Sequence, residues 1–146
     1  MKYVHTNIIA KDWKLLADFY IKVFKCKPVL PERDLEGDWL AKGTGVKNAS
    51  LHGIHLLLPG FNNNGPTLEI FQYKENEKKP IPVANREGFS HIAFLVSDVD
   101  DILNKMISHG GTKLGEIVKK KLNYGTITFA YAKDPEGNII ELQSLD

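Results

Sequence analysis

Two histidines and two glutamates recur in this chain at matching steps. His5 lies seven residues before Asp12 and His91 seven before Asp98, while Gly65 and Gly137 each lie four before a glutamate, Glu69 and Glu141. Two neutral imidazoles and two carboxylates form a donor set for a borderline or hard divalent ion such as Ni, Co, Zn, Mn or Mg, with Fe less favoured. Four protein ligands on a six-coordinate ion leave two positions for water or substrate, the open geometry that Lewis-acid chemistry requires. Taken singly, each residue has an ordinary explanation. A strand histidine is usually hydrogen-bonded within the fold, and a strand glutamate usually faces solvent. Their joint placement is what points to a metal, because residues with coordinated or perturbed chemistry cluster at functional sites.

The elements that must position them repeat as well. A β-branched strand over residues 3–10 leads to Asp12, whose carboxylate can cap the first helical turn. Trp13, Leu16, Ala17, Tyr20 and Phe24 recur at helical spacing, so residues 13–25 are expected to form an amphipathic helix with its aromatics in the core. Strands are expected at 27–33, 46–58 (bent at Gly53) and 67–73, with loops at 34–44 and 59–66. A charged stretch at 75–87, broken by Pro80 and Pro82, reads as a linker between module 1 (about 1–74) and module 2 (about 88–146) of a single domain. The pattern then restarts. A strand at 89–97 precedes the cap Asp98; Val99, Ile102, Leu103, Met106 and Ile107 mark a second helix that Gly110 and Gly111 stop. Three more strands are expected at 112–120, 124–132 and 138–144, the last two joined by the turn Asp134-Pro135-Glu136-Gly137-Asn138. The His-to-Glu separations, 64 and 50, differ through the longer loops of the first half. The fold class is therefore α+β: two tandem βαβββ modules forming a cupped mixed sheet around the metal site.

Strand parity divides the faces. Ile139, Glu141 and Gln143 share one face and Ile140 and Leu142 the other; His91, Ala93 and Leu95 oppose Ile92, Phe94 and Val96. The mixed face suits the concave side of a cup, and the apolar face should pack under helices. His52 and His55 have opposite parity and cannot both face the cup, so each is expected to be structural or substrate-lining. His109, at a helix end, is explained by the helix dipole. Glu36 and Asp38 are expected to be solvated loop carboxylates, although either could reach over the cup as a second acid or base.

Composition excludes several classes. The chain has 146 residues, 42% hydrophobic and 25% charged, with a formal net charge of +1. That is the balance of a globular domain, and its cations are dispersed, which excludes a nucleic-acid footprint. The one basic run, Lys119-Lys120-Lys121, suits a solvated strand end. One cysteine, Cys26, allows no internal disulfide, and no segment has the apolar length of a signal or membrane span, so a cytoplasmic protein without membrane partners is expected.

The segments Val4-His5-Thr6-Asn7-Ile8-Ile9-Ala10-Lys11-Asp12 leading into Ala17-Asp18-Phe19-Tyr20, Phe89-Ser90-His91-Ile92-Ala93-Phe94, and Asp134 through Leu142 together resemble the vicinal-oxygen-chelate (glyoxalase / bleomycin resistance / dioxygenase) superfamily. The resemblance covers essentially the whole chain. In ring-cleaving dioxygenases and thiol transferases of that superfamily three ligands correspond to His5, His91 and Glu141. Glyoxalase I and methylmalonyl-CoA epimerase-like members add a fourth at the position of Glu69. The resemblance thus implies a metal-dependent lyase or isomerase that removes a proton beside a chelated carbonyl, with Glu141 as the first choice of base and Glu69 the second. It also implies a small-molecule substrate and a homodimer. The alternatives are an Fe(II) dioxygenase or thiol transferase on the same fold, or a non-catalytic, resistance-type binding protein. Ile9 stands where glyoxalase I commonly has an arginine for glutathione, and the 34–44 segment is longer than in that enzyme. Both departures weigh against glutathione and keep an epimerase, or an uncharacterised lyase, equally open.

Overall fold

A computed structural model describes all residues, Met1–Asp146, and divides into two compact units, Met1–Lys78 and Lys79–Asp146. The first runs β1 (His5–Ile9), α1 (Trp13–Phe24), β2 (Lys27–Glu36), α2 (Asp38–Thr44), β3 (Ser50–Leu57) and β4 (Thr67–Tyr73). The second runs β5 (His91–Leu95), α3 (Val99–Ser108), β6 (Thr112–Lys113), β7 (Val118–Leu122), β8 (Gly125–Lys133) and β9 (Ile139–Leu145). Two βαβββ modules are present, as expected. Their strands pair as two sheets, in place of the single sheet expected, because each module closes its pairing internally. The sheet orders are β1-β4-β3-β2 and β5-β9-β8-β6, with β7 also on β8. In each, the strand before the long helix pairs parallel with the last strand of its module.

Both helices start where the aspartates place them. The Asp12 carboxylate accepts from the Leu15 amide at 3.1 Å and that of Asp98 from the Asp101 amide at 2.9 Å, satisfying N–H groups that a helix start leaves open. Leu16, Phe19, Tyr20 and Val23 of α1 are buried, and so are Ile54, Leu56, Leu68 and Ile70 on the strands beneath. In the second unit Val99, Leu103 and Met106 of α3 are buried over a sheet face that includes Ile140, Leu142, Ala130 and Ala132. The uniformly apolar parity is thus the helix-covered one, each large side chain there contributing about 1.5–3 kcal/mol. His109 ends α3, with its Nδ1 donating to the Lys105 carbonyl at 2.9 Å. The buried Asp134 closes the final hairpin: its carboxylate accepts from the Glu136 and Asn138 amides, both at 2.9 Å, and from Asn138 Nδ2 at 2.7 Å. No helix is long and apolar enough to cross a membrane.

Two further expectations need correction. The 34–44 segment is not a loop. β2 continues through Asp34, Leu35 and Glu36, which pair with His52, Leu51 and Ser50. A short helix, α2, follows between Gly37 and Gly45, both at positive φ. Its one buried residue, Leu40, packs with Ala49, Leu51 and Phe71, which gives the segment a reason to fold. The strand expected at 112–120 is two, because the Leu114 and Gly115 amides both donate to the Tyr131 carbonyl and throw the strand out of register. A similar register shift interrupts β2 between Val29 and Arg33, so the repeat extends to this irregularity. At Gly53, the expected bend, an added Cβ would lie 2.1 Å from the Ile70 carbonyl oxygen and 2.3 Å from the Phe71 ring. The missing side chain makes room for that ring.

Cys26 is buried, and burial pushes its thiol up to about 12. The thiolate is the reactive form, so iodoacetamide at pH 8 should leave the native chain unlabelled and modify it readily in urea. Because folding raises this pKa, its stabilising effect is complete below the unfolded value, about 8.5, and is lost as pH climbs from there to about 12. Rapid labelling of the native protein would contradict the burial.

Candidate functional site

The register explains how each unit brings one histidine to one glutamate. In the parallel β1–β4 pair Asn7 stands beside Glu69, and in β5–β9 Ala93 stands beside Glu141. His5 and His91 lie two residues earlier on those strands, on the same face as the glutamate. His5 Nδ1 is 3.1 Å from Glu69 Oε1, and His91 Nε2 is 3.0 Å from Glu141 Oε2. The duplicated spacing seen in the sequence is therefore a duplicated strand geometry. Both pairs occupy the face turned away from the long helix of their unit.

The surroundings of the two glutamates differ. Glu69 is only 7% exposed and is among the few buried charged groups. Its Oε1 also meets His55 Nδ1 at 3.2 Å, and its Oε2 accepts from Asn7 Nδ2 at 3.4 Å. Burial holds the His55 imidazole below its ordinary pKa, with Arg33 and His5 adding to the effect and Glu69 opposing it. A neutral ring carries one N–H, and facing a carboxylate it places that proton on Nδ1. Glu141 is more open, its side chain 19% exposed against 9% for Glu69. Tyr131 stands directly opposite it, its phenol pushed above the usual range by burial first and the Glu141 charge second. The Tyr131 ring lies 4.9 Å from that of His91.

His55 is the residue that the sequence left among the structural or substrate-lining ones. Its parity was legible, but not which parity would face Glu69. His52 takes the other face and meets Asp34 Oδ1 at 3.2 Å. Glu36 ends β2 and Asp38 begins α2, both exposed. Phe71, two residues beyond Glu69, touches the His55 ring edge-on at 5.5 Å and joins the apolar cluster under α2. Helix α2 therefore covers part of the same sheet face that carries the carboxylate.

No group of three or more His, Cys, Asp or Glu side chains is gathered in the arrangement of a metal cage. Each unit supplies a His–Glu pair, with His55 added on the same Glu69 oxygen in the first, and the spacing within each pair is compatible with a shared divalent ion. Ligand bonds of about 2.0–2.2 Å at a right angle separate neighbouring donors by about 3 Å, and the two N···O distances are 3.1 and 3.0 Å.

The chain belongs to the Glyoxalase/Bleomycin resistance protein/Dioxygenase superfamily, whose model matches residues 2–142. Solved structures share the fold at low identity. A glyoxalase family protein from Bacillus cereus has a TM-score of 0.77 at 18% identity, over 99% of this chain and 93% of that one. A glyoxylase/bleomycin resistance protein/dioxygenase domain from Frankia sp. EAN1pec has a TM-score of 0.61 at 15% identity, over 100% and 97%. A family enzyme from Burkholderia phytofirmans PsJN has a TM-score of 0.57 at 16% identity, over 97% of each chain. No curated protein matches in sequence.

Phe71→Ala should cost about 3–5 kcal/mol in urea denaturation and speed tryptic cleavage at Lys42, because the ring supports both α2 and His55. An unchanged midpoint and cleavage rate would show that the ring supports neither.

Proposed function

We propose that this protein is a metal-dependent lyase or isomerase of the glyoxalase or epimerase type, acting on a small carbonyl compound. The observation that carries the proposal is the buried carboxylate of Glu69, set against His5 and matched in register by Glu141 and His91. A carboxylate at the first of these positions is the feature that favours proton transfer over dioxygenase or thiol-transfer chemistry. The ligand set under this proposal is His5, Glu69, His91 and Glu141, and the ion supplies Lewis-acid stabilisation of charge developing on oxygen.

The chain's own residues supply the rest. The imidazoles of His5 and His91 would each offer a ring-nitrogen lone pair to the ion. Glu141, more exposed and with fewer partners, takes the proton adjacent to the carbonyl, with Glu69 as second choice. A homodimer belongs to the same proposal.

Elemental analysis of untagged protein, with Glu69→Ala and Glu141→Ala alongside, tests it. Near-stoichiometric Ni, Co, Zn or Mn that falls at least several-fold in both variants is the expected result. Iron that depends on Glu141 but not Glu69 would redirect the assignment to a dioxygenase. Absence of metal after reconstitution with each ion would leave a small-molecule-binding protein.

A further inference from the structure

The two glutamates are equivalent in register but not in support. Across the ladders from Glu69 stand His55 on β3 and Asn7 on β1. The same two places beside Glu141 hold Tyr131 and Ala93. His55 reaches Glu69 Oε1 and Asn7 reaches Oε2, so both oxygens are tied. Ala93 has no donor to offer, and the Tyr131 ring lies against the His91 imidazole at 4.9 Å. Within its unit, Glu141 keeps one polar partner, His91.

We infer that His55, with Asn7 on the second oxygen, is a positioning residue that fixes the orientation of Glu69 as a rigid ligand. This rests on the metal-dependent function proposed above. A carboxylate held at both oxygens keeps one orientation, so an ion bound there would meet a fixed ligand. The clamp is itself anchored: the His55 ring sits edge-on to Phe71, and Phe71 is packed among Leu40, Ala49 and Leu51. Groups that orient a ligand from outside the coordination sphere typically change metal affinity about 10–100-fold when removed.

The test is calorimetric titration of untagged, metal-free protein with Co(II). His55→Phe keeps a ring against Phe71 and removes the donor, whereas His55→Asn keeps a donor near the Nδ1 position and gives up the ring. Affinity is expected to fall about 10-fold or more in His55→Phe and to recover substantially in His55→Asn. Melting temperatures of the metal-free proteins serve to separate this from unfolding. Equal affinity in the parent and His55→Phe, or a loss that His55→Asn does not repair, would overturn the clamp. If the parent takes up no Co(II), the functional proposal fails on its own, and nitrogen NMR of the imidazoles decides the clamp. An Nδ1-bound proton on His55 that shifts in Glu69→Ala supports it, and an unprotonated Nδ1 overturns it.

Discussion

A carboxylate taken out of water needs partners, and Glu69 sets that demand for the first unit. Leaving such a charge buried and unpaired costs several kcal/mol. The sheet answers with an imidazole on each side and an amide on the second oxygen. Those partners come from two different strands, β1 and β3, flanking the central β4. The register of both ladders must therefore be right at once. A slip of one residue in either would turn its donor to the helix-covered face and leave Glu69 exposed to the full desolvation cost. Apolar packing on the opposite face, where Leu56, Leu68 and Ile70 sit under α1, guards against that slip.

The second unit meets a milder demand with fewer polar groups. Glu141 is less deeply buried and has His91 close by. The position opposite it carries an aromatic ring that braces the imidazole instead of the carboxylate. The two units share a frame, meaning the aspartate-capped helix, the parallel first-to-last strand pair and the Gly-x-x-x-Glu step. The residues facing each glutamate differ: His55 and Asn7 beside Glu69, Tyr131 and Ala93 beside Glu141.

Much of this was legible from spacing alone. The seven-residue step from histidine to aspartate is a strand followed by a capped helix, and the structure has both caps in place. The four-residue step from glycine to glutamate puts each glutamate on the last strand of its module. β4 matches its expected span, Thr67–Tyr73. Helix α2 was not legible, because only Leu40 of its seven residues is buried and no side chain caps its start, so neither periodicity nor capping signals it. The part played by His55 was hidden for another reason. Its facing depends on how β3 pairs with β4 across the intervening residues 58–66, a connection too long for turn chemistry to fix the register. Tertiary pairing also drew Asp34 and Glu36 into β2, against their weak strand propensity.

Under the proposed function, His5, Glu69, His91 and Glu141 bind one divalent ion per chain. X-ray absorption spectroscopy of the Co(II)-loaded chain, combined with its metal-to-protein ratio, tests this directly. The account predicts one ion per chain, with two imidazoles among its ligands and oxygen donors completing the shell. One imidazole per ion, or two ions per chain, would show that the pairs act separately and would contradict it.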